Sequence, residues 1–327
     1  MTKEPEAGDV SAAFEAALEV ELGDLGRQDL AGPASVLSQR YRGGDSEARC
    51  RFGPGQVHAY LATRAPATFA ATRRVLAEVA SLRPDFAPEN ILDLGAGPGT
   101  ATWAAAAVFP SLEAAELVER EPDMAELGVR LAQRGAPGLL AGAAWTIGNA
   151  AQVATAKSDL VVAAYLLGEL AGSEELPALE RWWGVTRGEL VLVEPGTPAG
   201  FERLRAARRV LVSWGARLTA PCPHEAPCPM AGSDWCHFAV RLERSSLHRE
   251  LKGARLGYED EKYSYLAVSA ARAPRAAARV LRSPRPHRGH VRLLLCEEGG
   301  LRERVISRKD GELYKRARQT RWGDRLD

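Results

Sequence analysis

The spacing of hydrophobic positions changes character twice along the chain. Up to about residue 90, apolar residues recur every three or four positions, which is typical of amphipathic helices. Gly and Pro residues interrupt this pattern between residues 23 and 33, and Pro66 breaks the last segment. The predicted helices are 10–22, 34–42 and 56–82. The first 89 residues are therefore predicted to form a helical N-terminal region.

From Asn90 onward, short apolar runs alternate with amphipathic segments. The predicted strands are 91–94, 115–118, 144–147, 159–164 and 189–193, and the predicted helices are 100–108, 122–134, 174–183 and 199–214. Alternating strands and helices are typical of an α/β fold, in which a parallel sheet carries helices on both faces. Residues 90–270 are expected to form such a Rossmann-like domain.

The periodic pattern stops after Ala216. Residues 218–238 are rich in Pro, Cys, Gly and His, and a loop of that length without secondary structure is usually functional. A strand is predicted at 263–269, and short strands at 279–282, 291–296 and 303–307 predict a small C-terminal β part. We expect residues 271–327 to form this extension, with the Cys-rich loop as an insertion in the preceding domain.

Charge is unevenly distributed although the formal net charge is only +1. Residues 271–327 contain 16 Lys and Arg against 7 Asp and Glu, whereas the rest of the chain is acidic. Such a basic segment indicates either a docking surface for a polyanion such as RNA or an ordinary solvated surface. No apolar run reaches the roughly 18 residues of a membrane span. Because the first residues resemble neither a signal peptide nor a transit peptide, we expect a soluble cytoplasmic protein without membrane association.

A glycine-rich turn follows the first predicted strand, in the sequence ILDLGAGPGT at residues 91–100. Gly95, Gly97 and Gly99 let the backbone turn sharply and approach a ligand, and the next helix begins with free N–H groups. Glu119 ends the second strand, where a carboxylate is placed to accept ribose hydroxyls. Asn149 follows the third strand, where an amide is placed to meet adenine. A dinucleotide site uses the same parts, and each polar residue also suits a plain strand end or turn.

The phrase LDLGAGPG, including Asp93, resembles the first motif of Rossmann-like S-adenosylmethionine methyltransferases. That resemblance implies an S-adenosylmethionine site in which Asp93 helps position the methionine end of the cofactor. Many amino-methyltransferases carry an Asn/Asp-Pro-Pro-Tyr/Phe motif after the fourth strand, but this chain has AYLLGEL at 164–170. Tyr165 suits either a core position or stacking on a base, so the sequence identifies no catalytic residue.

Three of the five cysteines, Cys222, Cys228 and Cys236, lie within 15 residues, and Cys296 follows later. Clustered cysteines in a non-secreted chain favour a metal site over disulfides. Three thiolates need a fourth ligand to complete a tetrahedral zinc site or an iron–sulfur cluster. Cys296 is the first candidate, with His224 and His237 as alternatives. Cys50 stands apart and is interpreted as an ordinary residue.

Several phrases in the second half of the chain (221–230, 234–238, 251–253 and 258–265) resemble the methyltransferase-like family of small-ribosomal-subunit assembly factors, which includes a mitochondrial translation factor and bacterial homologues. The resemblance implies a Rossmann-like fold, association with the small ribosomal subunit and its rRNA, and a [4Fe–4S] cluster held by Cys222, Cys228, Cys236 and Cys296. An active RNA methyltransferase and a small-molecule methyltransferase with a structural zinc are the alternatives. The candidate RNA contacts, each equally consistent with a solvated charge, are Arg241, Arg244, Arg249, Lys252, Arg285 and Arg288.

Overall fold

A computed structural model describes residues 7–23, 25–43, 52–53, 55–134 and 138–326. Cys50, interpreted above as an ordinary residue, lies outside these ranges. Within them, no helix combines the length and apolar character that crossing a membrane requires.

The described residues before Arg83 are mainly helical, and helices alternate with strands after them. The helices are α1 (Ala7–Leu22), α2 (Arg27–Gly43), α3 (Gln56–Thr63), α4 (Ala65–Leu82), α5 (Thr100–Ala106), α6 (Pro122–Gln133), α7 (Gly138–Ala141), α8 (Gly172–Val185), α9 (Pro198–Ser213), α10 (Ser246–Lys252) and α11 (Glu312–Gln319). The strands are β1 (Asn90–Leu94), β2 (Ala114–Glu119), β3 (Ala144–Ile147), β4 (Ser158–Ala164), β5 (Thr186–Pro195), β6 (Arg217–Ala220), β7 (Phe238–Glu243), β8 (Tyr258–Ser269), β9 (Ala278–Val280), β10 (Arg285–His287), β11 (His290–Glu297) and β12 (Gly300–Ser307).

The N-terminal helices follow the predicted pattern with one correction. The break near Pro66 is confirmed, because α3 ends at Thr63 and α4 begins at Ala65 with Pro66 in its first turn. Helix α2 begins at Arg27 rather than at residue 34 and contains Pro33. Leu30 and Leu37 are buried in a small cluster with α3, so tertiary packing extends this helix through a segment that the sequence marked as irregular.

The main sheet has eight strands in the order β3-β2-β1-β4-β5-β8-β6, with β7 also pairing with β8. Strands β1 to β5 are parallel, as predicted. The strand predicted at 263–269 belongs to the long strand β8, which runs antiparallel to β5, β6 and β7. Its second half lies between β5 and β6, and its first half pairs with β7. The result is an α/β Rossmann-like fold with a mixed sheet.

Helices bury both faces of this sheet. On one face, Trp103 of α5 is fully buried among residues of α1, α4 and α6, and Phe14 of α1 stacks on Phe69 with ring centroids 4.6 Å apart. On the other face, Trp182 of α8 packs with apolar residues of α9. Because the central strands β1 and β4 are covered on both sides, their sequences are almost continuously apolar rather than alternating.

A second sheet forms from the C-terminal strands in the order β10-β11-β12, with β9 pairing with the far end of β11. Val291, Leu293 and Leu295 of β11 are buried in a small core with Ala317 of α11. Strand β10 and helix α11 were not predicted, nor were β7 and α10 in the main body of the fold. The boundaries drawn at residues 90 and 271 stay predictions.

Candidate cofactor site and cysteine cavity

The glycine-rich turn lies at the carboxyl end of β1, the central strand from which the chain order runs outward in both directions. Open α/β sheets bind ligands at this point. Gly95, Gly97 and Gly99 have φ values of 64°, 56° and 80°, in the left-handed region that favours glycine. A Cβ on Gly95 would lie 2.7 Å from Cδ1 of Leu166. The turn therefore needs glycine both for its conformation and for its close packing.

Glu119 ends β2 beside this turn. Its Oε2 accepts the Gly97 N–H at 2.7 Å, and its Oε1 accepts the Glu121 N–H at 2.8 Å. Burial raises the pKa of Glu119, although these backbone hydrogen bonds oppose the rise. The carboxylate thus fixes the turn and presents its remaining lone pairs beside it.

A cavity of about 50 Å³ lies next to the turn and is lined by Gly95, Glu119 and Asn149, together with Gly148 and Leu166. Three of the predicted cofactor residues therefore meet at one cavity. The Asn149 side chain is already engaged, since its Oδ1 accepts the Ala151 N–H at 2.9 Å and its Nδ2 donates to Glu174 at 3.3 Å. Gly97 and Gly99 shape the turn but are not part of this lining.

Asp93 is buried in β1, with 1% of its surface exposed. Its Oδ2 accepts the Thr102 N–H at 3.0 Å and the Thr102 hydroxyl at 2.8 Å. Burial raises the pKa of Asp93 to about 7. In this geometry the carboxyl group fastens β1 to the first turn of α5, and its role toward the methionine end of a cofactor stays a prediction.

Two tyrosines lie around the turn. The hydroxyl of Tyr60, on α3, is 3.8 Å from the position of a Cβ on Gly97, and burial raises the pKa of Tyr60 to about 12. Tyr165, directly after β4, has a φ of 60° and donates its hydroxyl to Glu261 at 3.2 Å. A left-handed tyrosine is strained, and such strain concentrates at functional sites. The sequence pointed to Tyr165 but gave no signal that α3 would bring Tyr60 here.

The four clustered cysteines meet at a second cavity, also of about 50 Å³. Cys222 follows β6, Cys236 precedes β7, and Cys296 lies on β11 in the C-terminal sheet. Cys228 lies between Cys222 and Cys236 on loop 218–238. The irregular loop was predicted from the sequence, but the short strand β6 at its start was not. The cavity therefore lies where the loop, the main sheet and the C-terminal sheet meet.

Arginines hold the loop around this cavity. Arg208 of α9 donates to the carbonyl oxygens of His224 and Ala226 at 2.8 and 2.7 Å. Arg205 donates to the Met230 carbonyl at 3.1 Å, and the buried Arg279 donates to the Pro221 carbonyl at 3.0 Å. All three arginines line the cavity. Their positive charge suits an anionic group, such as a metal centre bound by four thiolates.

Burial raises the pKa of the Cys228 and Cys236 thiols and raises that of Cys296 to about 12, and the neighbouring cysteines raise all three further. His224 Nε2 lies 3.5 Å from the Cys296 sulfur. A bound metal would supply the charge that stabilises the thiolate forms of these cysteines.

Across the part of the chain that the structure describes, no group of three or more His, Cys, Asp or Glu side chains is arranged to hold a metal ion. Four thiolates bound to one zinc would lie about 3.8 Å from each other, as bond lengths near 2.3 Å in a tetrahedron require. The four cysteines thus line one cavity, but they are not arranged as the ligands of a single ion. The structure does not show the metal-binding character expected of the insertion.

Aromatic side chains connect the cysteine loop to the main body of the fold and to the C-terminal segment. The indole N–H of Trp235 donates to the Gly196 carbonyl beyond β5 at 2.9 Å. His237 stacks on Trp235 at 5.0 Å and meets Trp322, near the C-terminus, edge-on at 4.6 Å. Cys236 is therefore held between two neighbours that contact the main body and the C-terminal segment.

The strand order and the glycine turn together define a protein of the Rossmann-like methyltransferase fold. Among solved structures, the chain is similar to magnesium protoporphyrin IX methyltransferase of Synechocystis (14% identity, 73% of this chain and 97% of that one, TM-score 0.43). It is also similar to precorrin-6y C5,15-methyltransferase of Geobacter metallireducens (14% identity, 60% and 85%, TM-score 0.39). These likenesses are too distant to indicate a substrate.

Residues 54–327 match the family model described as mitochondrial small ribosomal subunit Rsm22. The chain is 30% identical to the human ribosome assembly protein METTL17, mitochondrial, over 82% of its own length and 61% of that protein. It is 24% identical to the Rsm22-cox11 tandem protein 2, mitochondrial, of Schizosaccharomyces pombe, over 91% and 46%. The chain belongs to the Rsm22 family, which confirms the resemblance stated above, and it spans about half to three fifths of these relatives.

The expected cytoplasmic location is wrong. The family model and the curated relatives all carry mitochondrial names. The expectation depended on the composition of the first residues, and composition near one terminus is weak evidence of where a protein works.

Proposed function

We propose that this protein binds S-adenosylmethionine and acts as an assembly factor that associates with the small ribosomal subunit and its rRNA. The family match carries the proposal, because it covers the glycine turn and all four clustered cysteines. The basic C-terminal segment supports it, since Lys and Arg that neutralise phosphates provide most of the affinity of RNA-binding proteins.

Cosedimentation with purified small subunits through a sucrose gradient, at increasing salt, tests the ribosomal part of the proposal. We expect association at low salt that weakens steeply as salt rises, since phosphate contacts release counterions. Migration at the top of the gradient at every salt concentration, with the protein folded, would refute association with the subunit.

For the cofactor, the cavity beside the glycine turn is the proposed adenosine site, with Glu119 toward the ribose and Asn149 toward the adenine. Isothermal titration with S-adenosylmethionine tests this assignment. Gly97→Arg places a large side chain in a left-handed position directly beside Glu119, so it should abolish binding. Gly184→Arg is the matched control, because it adds the same side chain at a helical glycine with open space around it, outside the lining of this cavity.

For the metal, we propose a [4Fe–4S] cluster bound by Cys222, Cys228, Cys236 and Cys296. Four cysteines line one cavity, and a [4Fe–4S] cluster takes one thiolate at each of its four irons. When bound, the cluster would add iron–thiolate bonds between loop 218–238 and β11. The chain's own arginines would counter its negative charge and hold the loop through the carbonyls of His224, Ala226 and Met230.

Metal and acid-labile sulfide analysis of protein purified without oxygen tests the cluster. About four irons and four sulfides per chain are expected. One zinc without sulfide would reject the cluster and favour the alternative of a methyltransferase with a structural zinc.

An active RNA methyltransferase is the second candidate, favoured by the strained Tyr165 at the carboxyl end of β4. It predicts methyl transfer from labelled S-adenosylmethionine to immature small subunits, which Gly97→Arg should abolish. Absence of transfer while the cofactor still binds would leave the assembly role without catalysis.

A further inference from the structure

The hairpin formed by β10 and β11 concentrates positive charge on one face. Arg285 of β10 lies directly opposite Arg292 of β11, and His287 lies opposite His290 with the rings stacked at 4.7 Å. No acidic residue occurs between positions 285 and 292. Like charges directly opposite each other destabilise a strand pair, and Glu303 on β12 lies 3.9 Å from Arg292, so Arg285 is the arginine of this pair that lacks a partner among the described residues.

A groove of about 280 Å³ lies on the other side of β10, between this strand and α11. Its lining includes Pro284 and Pro286 at β10, Arg318 of α11, and Arg321 and Trp322 directly after that helix. Arg318 and Arg321 are exposed, and neither has an ion pair with any residue that the structure describes. The groove thus combines flat apolar surfaces with free cationic side chains.

Several other basic residues suggested by the sequence are already neutralised. Arg241 forms a bidentate pair with Asp260, and Arg244 and Lys252 both pair with Glu259. Arg285 and Arg288, by contrast, are exposed and make no ion pair within the described ranges. Arg249 of α10 is also exposed and makes no ion pair within the described ranges, so two of the three unpaired candidates lie on the hairpin.

We propose that the groove between β10 and α11, with the adjoining face of the hairpin, binds a single-stranded segment of RNA. This inference rests on the proposed function and gives it a location. Single-stranded nucleic acids bind where cationic side chains follow the phosphates and flat side chains receive the bases. Arg318, Arg321 and Arg285 serve the phosphates, and Pro286 and Trp322 offer the flat surfaces. A duplex keeps its base faces stacked inside the helix and would leave the apolar floor unused.

The test is fluorescence anisotropy with a labelled 12-nucleotide oligouridylate and a 12-base-pair RNA duplex, at several salt concentrations. The groove variant is Arg318→Gln with Arg321→Gln. The matched control is Arg302→Gln with Arg304→Gln, which removes the same charge from the same small module. The control arginines border a separate cavity that contains Glu297 and Glu298, and both are within 4 Å of Glu297.

We expect the groove variant to bind the single strand roughly tenfold more weakly, with a log–log salt slope smaller by about 1.4, because each lost phosphate contact removes about 0.7. The control should stay within about twofold of the wild type, since its arginines are already paired. Equal affinities of the groove variant and the control for the single strand would refute the proposed RNA site. Tighter binding of the duplex than of the single strand would refute it as well.

Two further outcomes separate this inference from the proposed function. If the groove variant loses cosedimentation with small subunits but binds oligouridylate normally, the groove contacts protein rather than RNA, and the inference fails alone. If the wild type binds neither RNA nor subunits, the proposed function fails first and the groove with it.

Discussion

Arg279 is the residue whose removal should cost most among the charged side chains of the C-terminal sheet. Only 2% of it is exposed, and its three nitrogens meet three different parts of the chain. Nε donates to the Pro221 carbonyl at 3.0 Å, Nη1 donates to the Gly323 carbonyl at 2.9 Å, and Nη2 lies 2.8 Å from Glu78 Oε1 on α4. It therefore joins β9 to the cysteine loop, the C-terminal segment and an N-terminal helix.

Arg279→Met keeps much of the side-chain volume and removes every one of these contacts. The buried Pro221 carbonyl and the partly buried Gly323 carbonyl lose a charged donor, and the ion pair left to Glu78 is that with Arg325 at 3.7 Å. Removing one partner of a buried ion pair typically costs about 3–5 kcal/mol, because the other charge is left uncompensated. We expect a loss of that size in the free energy of unfolding.

Urea denaturation followed by circular dichroism and tryptophan fluorescence measures this loss. The control is Arg292→Met in the same sheet, whose side chain is half exposed and lies 3.9 Å from Glu303. An exposed pair of that kind contributes at most about 1 kcal/mol. A double-mutant cycle with Glu78→Gln isolates the ion pair from the two carbonyl bonds. A loss below about 1 kcal/mol for Arg279→Met would refute the reasoning, because the three contacts would then not hold the modules together.

Three further predictions follow from the same geometry. Burial raises the pKa of Asp93 to about 7, so the folded state binds the Asp93 proton more tightly than the unfolded state does. The free energy of unfolding therefore falls as pH rises from about 4 to about 7. Asp93→Asn should gain stability relative to the wild type over that range in urea titrations, and an equal pH dependence of the two proteins would contradict the assignment. Gly200→Ala should destabilise by more than about 2 kcal/mol, because a Cβ there collides with the Pro195 carbonyl oxygen, whereas Gly172→Ala, with open space around it, should change little in the same assay. Cys236→Ser should lower both the iron content and the soluble yield, because metal binding at such a site is coupled to folding. A normal iron content would show that Cys236 is not a ligand.

The parallel half of the fold was predictable because each element buries one periodic apolar face. Strand β3 has the predicted bounds, β1 and β4 begin one residue earlier than predicted, and β2 is one residue longer at each end. A pattern of apolar positions does not specify the direction of a strand. The sequence therefore predicted a strand at 263–269 but not that it runs antiparallel. Helix α10 carried a readable signal that was missed, namely Ser245 as its N-cap and Gly253 in the left-handed conformation at its end.

In the candidate sites, residues that act through the backbone were easier to predict than those that act through tertiary contacts. The left-handed glycines follow from their spacing after a strand, and Glu119 follows from its place at the next strand end. The hydrogen bonds between Asp93 and Thr102 depend on how α5 packs against β1, which no local pattern specifies. Likewise, the arrival of Tyr60 at the glycine turn depends on the docking of α3.

The cysteine cavity shows how the modules depend on each other. Cys296 reaches the cavity only because β11 pairs with β9 and β9 is fixed by Arg279 to Pro221, the residue next to Cys222. The same β11 pairs with β10, whose far side borders the proposed RNA groove. A ligand bound by all four cysteines would therefore fix the C-terminal sheet, and with it the groove, relative to the main sheet. Since a rigid surface loses less entropy on binding than a mobile one, loss of that ligand should weaken RNA binding even where every arginine of the groove is intact.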